Sequence, residues 1–308
     1  STGGGPLSFG LQSTAGTYTV YATNTSTGCS NYMNGSATVA INSLPSSYTV
    51  SLSDSTICAG STGVHVKLSN TSIGNVYQLQ INGVPSGTPV TGVGAALDFG
   101  IFSTSGTYMV SAVDPITSCP NMMSGAPALV VNPLPNTYSL TGGGGYCLGS
   151  SGARLGLSNS ETGINYQLYN GSTPTGSTHP GLGVALDFGY LSAGTYTAIA
   201  QNPVTGCTRN MTGTVTVSAN PLPAAYTVSS SGSSYCSGGA GIMVSLSSSS
   251  PGVKYQLYNA SVPMGIPVSG TGSSISFGYQ TIAGSYTVMA SNTTTGCTSN
   301  MSGSASIS

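Results

Sequence analysis

The feature that most constrains the fold is a fifteen-residue phrase written four times. It reads AGTYTVYATNTSTGC at 15–29, SGTYMVSAVDPITSC at 105–119, AGTYTAIAQNPVTGC at 193–207 and AGSYTVMASNTTTGC at 283–297. Other markers keep the same step. FG occurs at 9–10, 99–100, 188–189 and 277–278, with spacings of 90, 89 and 89 residues. YQL occurs at 77–79, 166–168 and 255–257, and the proline-bearing NSLP, NPLP and NPLP at 42–45, 132–135 and 220–223. Self-similarity at a fixed period defines the architecture before any single residue does. A unit of about 89 residues is too long for one solenoid coil and suits a small β-sandwich. The boundaries that follow are 1–43, the later part of one repeat, then complete repeats at 44–132, 133–220 and 221–308. The partial repeat carries the FG, GTY and cysteine signals without the YQL strand, so the chain is expected to be a window on a longer array.

Within each unit the pattern is that of strands. Tyr18, Val20 and Ala22 share a parity, as do Tyr108, Val110, Ala112 and Tyr286, Val288, Ala290, which places them on one sheet face. Tyr166 and Leu168, like Tyr255 and Leu257, alternate in the same way. Asn82–Gly83 and Asn170–Gly171 supply turn chemistry after the YQL strand. The prolines of the PLP stretches lack amide donors and have fixed φ, which fits short, stiff links between domains. Composition agrees with an all-β chain. Tryptophan is absent, and only 3% of residues are charged against a usual figure of about 25%, so helix-forming Glu, Lys and Arg are scarce. A net charge of −1 offers no footprint for nucleic acid and no polybasic membrane patch. No apolar run approaches the roughly 18 residues of a membrane span. A basic start with an apolar middle, the mark of a signal peptide, is also missing, which is uninformative in a window on a longer array.

The recurring AG-T-Y-x-V resembles the tyrosine corner of immunoglobulin-like sandwiches, in which a tyrosine opens the F strand two residues before a core position. Tyr18, Tyr108, Tyr196 and Tyr286 are the corner candidates. Val20, Val110, Ala198 and Val288 take the core position that antibody domains give to cysteine. The resemblance implies tandem immunoglobulin-like β-sandwich domains of about 89 residues in a linear array.

The seven cysteines follow the repeat. Cys58, Cys147 and Cys236 come early in their units, and Cys119, Cys207 and Cys297 follow the corner strand. Pairing within units gives Cys58–Cys119, Cys147–Cys207 and Cys236–Cys297, with Cys29 left over because its partner would precede residue 1. This version is preferred because one bond per unit makes each domain self-sufficient. Closing a loop near 60 residues adds about 4 kcal/mol by chain-entropy accounting, which matters where a core is modest. Pairing between neighbours, Cys29–Cys58, Cys119–Cys147 and Cys207–Cys236, stays open. Regular disulfides imply an oxidising, extracellular setting. With no CxxC pair and two unrepeated histidines, zinc is not expected.

Catalysis needs titratable groups brought together, and the chain has few. Only Asp98 and Asp187 recur at one repeat position, in ALDFG at 96–100 and 185–189, where the other units place Ser8 and Ser276. A turn or capping role is the expectation for them. No His–acid pair repeats, and GxSxG elbows would have no helix to enter, so neither an enzyme nor a cofactor is expected. One or two acids per unit are too few for calcium-stiffened linkers. Lys67 aligns with Gly156 and Ser245, which removes an isopeptide staple as a general device. GGGG at 142–145 is followed by no lysine and no helix, so it is no phosphate loop. Asn24-Thr25-Ser26 and Asn259-Ala260-Ser261 are glycosylation sequons of a kind this composition produces by chance.

A wider pattern, C-x-G-x-x-G followed by strands, AGTYTV and a late GC, is also present. It appears as CSGGAG at 236–241, AGSYTV at 283–288 and GC at 296–297, with CAGSTG at 58–63, CLGSSG at 147–152 and SC at 118–119 as variants. This resembles the SprB-type, immunoglobulin-like repeats of giant Bacteroidetes surface adhesins, over all three complete units and the partial one. Asp54-Ser55-Thr56 likewise resembles the short O-glycosylation signal of exported proteins in that group. The resemblance implies export by the type IX route, display as a fibre at the cell surface, and contact with the secretion and motility machinery. It makes the chain a stalk segment of a secreted adhesin that gives reach and multivalent attachment, in the setting of gliding motility. Its partners would be a surface or neighbouring copies of the same fibre. Two other readings remain. One is a structural filament packed laterally through exposed tyrosines such as Tyr169 and Tyr258. The other is a carbohydrate-binding module, for which a chain with no Trp and five Phe is poorly equipped.

Overall fold

The computed structural model describes residues 4–308, so the first three residues of the 1–43 tail lie outside the described residues. The chain divides into two compact units, Ser1–Pro133 and Leu134–Ser308. Every regular element among the described residues is a strand.

In the second unit, residues 133–220 form two facing sheets. One holds Leu140–Gly142, Ala153–Leu157 and Leu186–Leu191, all antiparallel. The other runs in the order Gly144–Cys147, Val215–Asn220, Gly194–Gln201, Asn165–Asn170, Thr173–Pro180. Its first pair is parallel, with Cys147 opposite Asn220. Period-2 alternation turns Leu155 and Leu157 inward from one sheet and Tyr166, Leu168, Tyr196 and Ala198 from the other, and these form one core. Residues 221–308 repeat the plan. Val228–Ser230, Ile242–Leu246 and Ile275–Gln280 face a sheet of Val262–Ser269, Val253–Asn259 and Gly284–Asn292, with Thr298–Asn300 and Ala305–Ile307 paired to the last of these. Their core is separate and is built on Val244, Leu246, Tyr255, Leu257, Tyr286 and Val288.

The first unit contains a third sandwich of the same kind. Val50–Leu52, Val64–Leu68 and Leu97–Phe102 form one sheet, and Val90–Thr91, Val76–Ile81, Gly106–Val113, Ala128–Asn132 and Thr56–Cys58 the other. The protein is thus an all-β chain of tandem immunoglobulin-like sandwiches. In the partial repeat, Gly16–Tyr18 pairs with Ala37–Val39 and Tyr21–Thr23 with Ser30–Tyr32. Val20 is 37% exposed there, while its counterparts Val110 and Val288 are 0% and 1% exposed. The difference is tertiary: the same strand faces a second sheet in the complete repeats.

Two local features differ from the sequence expectation. The last proline of NSLP and of each NPLP stretch, Pro45, Pro135 and Pro223, is buried instead of bridging solvent. The Pro45 carbonyl accepts a hydrogen bond from Asn121 Nδ2 at 2.7 Å, and the Pro135 carbonyl one from Arg209 Nη1 at 3.2 Å. The stretch therefore opens the repeat that follows it. Of the two Asn-Gly pairs, Asn82 and Gly83 make the turn itself, with φ of 52° and 79°. Asn170 is instead the last residue of its strand, and its turn begins at Gly171.

Candidate functional site

The repeated side chains outside the cores define what each domain presents. The corner tyrosines come first. Tyr108, Tyr196 and Tyr286 are buried, and each phenol donates to the carbonyl four residues upstream: Thr104 at 2.7 Å, Ser192 at 2.9 Å and Ile282 at 2.6 Å. Tyr18 makes the same bond to Thr14 at 2.9 Å while half-buried. Burial pushes the Tyr108 phenol above its ordinary pKa, which keeps it a donor.

A second lock was not read from the sequence. The buried Tyr77, Tyr166 and Tyr255 accept backbone N–H groups from Ser72, Glu161 and Ser250 at 2.8, 2.9 and 2.8 Å. Just before those amides sit buried hydroxyls, Thr71, Ser160 and Ser249, which donate to the carbonyls of Ala95, Val184 and Ser273 at 2.8, 2.6 and 2.6 Å. Each also accepts an amide, from Val93, Leu182 and Thr271. The available signal was a hydroxyl at a constant six residues before the YQL tyrosine.

The glycine of GTY has a steric reason. A Cβ at Gly106 would lie 2.6 Å from Asn82 Nδ2, and Gly194 and Gly284 are covered in the same way by Asn170 and Asn259. Asn259 is buried in this role and donates to the Ala283 carbonyl at 3.3 Å, so the sequon it begins is closed to modification.

The recurring carboxylates cap turns. Asp98 Oδ1 accepts the Gly100 amide at 2.8 Å and Asp187 Oδ1 the Gly189 amide at 3.0 Å, while Ser276 Oγ takes the Gly278 amide at 3.1 Å. The other oxygen meets a nitrogen of the paired strand, His65 Nδ1 at 2.9 Å or Arg154 Nη2 at 2.7 Å. The Gly100 amide and then His65 hold Asp98 below the ordinary carboxylate range, and Arg154 does so for Asp187. The glycines have φ of 100°, 81° and 78° and sit where the strand pairing slips register. Such a bulge turns the next side chain outward. Leu11, Ile101, Tyr190 and Tyr279 all occupy this position and are exposed. Tyr169 and Tyr258, read from the sequence as exposed, are half-buried because their strand is central in its sheet.

The cysteine pairing differs from both sequence readings. Cys147 is bonded to Cys297, with Cα atoms 5.5 Å apart and 150 residues between them. Cys29, Cys119 and Cys236 are free thiols, whereas Cys58 and Cys207 are disulfide-bonded. This replaces Cys58–Cys119, Cys147–Cys207 and Cys236–Cys297, and equally Cys29–Cys58, Cys119–Cys147 and Cys207–Cys236. The reason lies in the sheet. Cys147 pairs with Asn220 at the end of the repeat's last strand, and Gly194 pairs with Val217 of that strand. The corner strand then runs eight residues, Gly194–Gln201, in the opposite direction before the turn that carries Cys207. Roughly 25 Å of strand separates the two, far beyond the roughly 6 Å that a disulfide spans. The late cysteine sits in a preformed turn. In residues 283–297, Asn292 Oδ1 accepts the amides of Thr294 and Thr295, and the Cys297 amide donates to Thr295 Oγ1.

Among the described residues no group of three His, Cys, Asp or Glu side chains could hold a metal ion. No protein-family model matches the chain, and no curated protein does. Solved structures similar to it include Sidekick-1 immunoglobulin domains 1–5, at 17% identity over 96% of this chain and 66% of that one, with a TM-score of 0.30. The ICAM-5 D1–D4 ectodomain fragment is similar at 14% identity over 84% of this chain and 76% of that one, with a TM-score of 0.38. The full ectodomain of mouse nectin-like molecule 4, Ig1–Ig3, gives 11%, 80%, 96% and 0.35 for the same quantities.

Proposed function

We propose that this chain is a stalk segment of a large secreted cell-surface adhesin, whose repeats supply reach and multivalent presentation. The observation that carries the reading is the Cys147–Cys297 bond, which ties one repeat covalently to the next. Such a bond runs in parallel with the peptide link between the repeats and shares tension with it. It also persists only in an oxidising compartment, which favours an extracellular location. The scarcity of charge fits a spacer surface that responds little to ionic strength. The SprB-type resemblance extends the proposal to type IX export and gliding motility, with a substratum or neighbouring fibres as partners. Filming live source cells labelled with a fluorescent antibody against residues 221–308 tests it. Label travelling along unpermeabilised cells supports a motility adhesin, and label that appears only after permeabilisation removes the adhesin reading.

A second reading, a filament packed side by side, is favoured by one observation: an exposed apolar side chain recurs at the same position as Leu11, Ile101, Tyr190 and Tyr279. Lateral packing through that row predicts static or shed threads in the same film. It also predicts that Tyr190→Ser with Tyr279→Ser abolishes self-association in sedimentation.

A further inference from the structure

Beyond that proposal, and independent of what the array adheres to, the free thiols have a reading of their own. Cys236 holds the sequence position of Cys147, 89 residues later, and Cys119 the position of Cys207 and Cys297. We infer that Cys236 and Cys119 are open halves of a repeating staple. In this staple the early cysteine of one repeat bonds the late cysteine of its successor, so the partner each thiol fits is another repeat of this type.

Both halves are preformed. In residues 133–220 the segment bearing Cys147 lies beside the end of the last strand, and the preceding Tyr146 anchors it by accepting the Ala193 amide at 3.3 Å. In residues 221–308 the segment bearing Cys236 also lies beside the chain's last strand, where the Ser308 amide donates to the Ser233 carbonyl at 2.8 Å. Tyr235, the counterpart of Tyr146, anchors it through the Thr281 carbonyl at 2.5 Å. Cys236 is exposed at that end of its repeat, as the rule requires. The other half is equally constant. The Asp114 amide donates to the Cys119 carbonyl at 3.2 Å and the Cys119 amide to Thr117 Oγ1 at 3.4 Å. These match the bonds from Asn292 to Cys297 at 2.8 Å and from Cys297 to Thr295 Oγ1 at 3.3 Å. Neither free thiol reaches the other cysteine of its own repeat, because the two stand at opposite ends of the sandwich.

Closing the staple needs a two-electron oxidant, here a low-molecular-weight disulfide such as oxidised glutathione. One protein thiol loses its proton, and its thiolate attacks the reagent, releasing one glutathione thiolate. The second protein thiolate then attacks the mixed disulfide and releases the other. Two protein thiols are oxidised to one disulfide, and the reagent is reduced to two thiols.

The test appends a copy of residues 133–220, or separately of 221–308, after Ser308 of the full chain, and folds each product in glutathione buffer. Free thiols are alkylated, and non-reduced peptides are mapped by mass spectrometry. Cys236, alkylated in the unextended chain, should lose its alkylation and appear linked to the late cysteine of the appended repeat, with Cys147–Cys297 retained. Cys236→Ser in the extended chain should leave that appended cysteine alkylated. The inference is overturned if Cys236 stays alkylated while the appended repeat resists proteolysis as the others do, or if Cys236 pairs with Cys297. The unextended chain gives a second test that needs no appended repeat to fold. There Cys297→Ser should expose Cys147 to alkylation as Cys236 is exposed, and a Cys147–Cys207 bond in its place would overturn the rule.

Discussion

Cys147 and Cys207 share a repeat yet stand at opposite ends of it, because the strand before Cys207 runs antiparallel to the one that Cys147 flanks in parallel. Thiol mapping of the native chain should therefore show Cys29, Cys119 and Cys236 alkylated without reduction, and Cys147 and Cys297 only after it. A peptide joining Cys147 to Cys207 would contradict the sheet order itself.

The corner hydrogen bond can be weighed by removing one oxygen. Tyr286→Phe keeps the ring in its core and leaves the Ile282 carbonyl unpaired, at a cost of about 1–2 kcal/mol. Tyr18→Phe, at a partly exposed ring, should cost much less, since water can replace the lost donor. Urea midpoints of the two variants give the comparison, and equal losses would show that burial does not set the value of this bond.

Gly106→Ala pushes a methyl group into Asn82, 2.6 Å from its Nδ2 atom. The expected loss is about 1–3 kcal/mol, the usual cost of overpacking. The double variant with Asn82→Gly should lose less than the sum of the two single variants, because the clash is then gone and glycine tolerates the φ of 52° at that position. Additive losses in denaturant titration would place the strain elsewhere.

The hairpin turn of residues 221–308 uses Ala260 and Ser261 at φ of 46° and 72°, where Asn82 and Gly83 serve in residues 44–132. Neither alanine nor serine suits the left-handed region, and the penalty is about 1 kcal/mol per residue. Ala260→Asn with Ser261→Gly should raise the thermal midpoint. An unchanged or lowered midpoint would mean that the turn does not hold this conformation in solution.

Asp187 is held low chiefly by Arg154, with help from the Gly189 amide. A depressed native pKa stabilises the fold fully above the unfolded value of about 3.9, and the contribution disappears as pH falls through the native value. Because the pair is exposed, the effect is small and screened by salt. Arg154→Met, which copies Met243 of the next repeat, should lower stability slightly near neutrality and flatten the profile on the acid side, so that the two proteins converge once Asp187 is protonated. Urea midpoints across that range provide the check, and a loss of the same size at acid and neutral pH would point to packing instead.

Much of the molecule is written locally. The 89-residue period, the strand content and the positions of Tyr108, Tyr196 and Tyr286 follow from alternation and from one phrase. The turn-capping role of Asp98 and Asp187 is equally short-range, since each carboxylate accepts an amide two residues away. By itself the sequence therefore determined tandem β-sandwiches and the turns that their repeated acids cap. Three matters were decided only in three dimensions. The exposure of Tyr190 and Tyr279, and the partial burial of Tyr169 and Tyr258, depend on a bulge and on which strand is central in its sheet. The lock formed by Thr71, Ser160 and Ser249 joins segments more than twenty residues apart. The cysteine partners depend on which end of a sandwich each turn occupies. That end is set by the parallel pairing of Gly144–Cys147 with Val215–Asn220, elements about seventy residues apart in the chain. Spacing along the chain records how many residues separate two cysteines, but a disulfide answers to distance across the sheet.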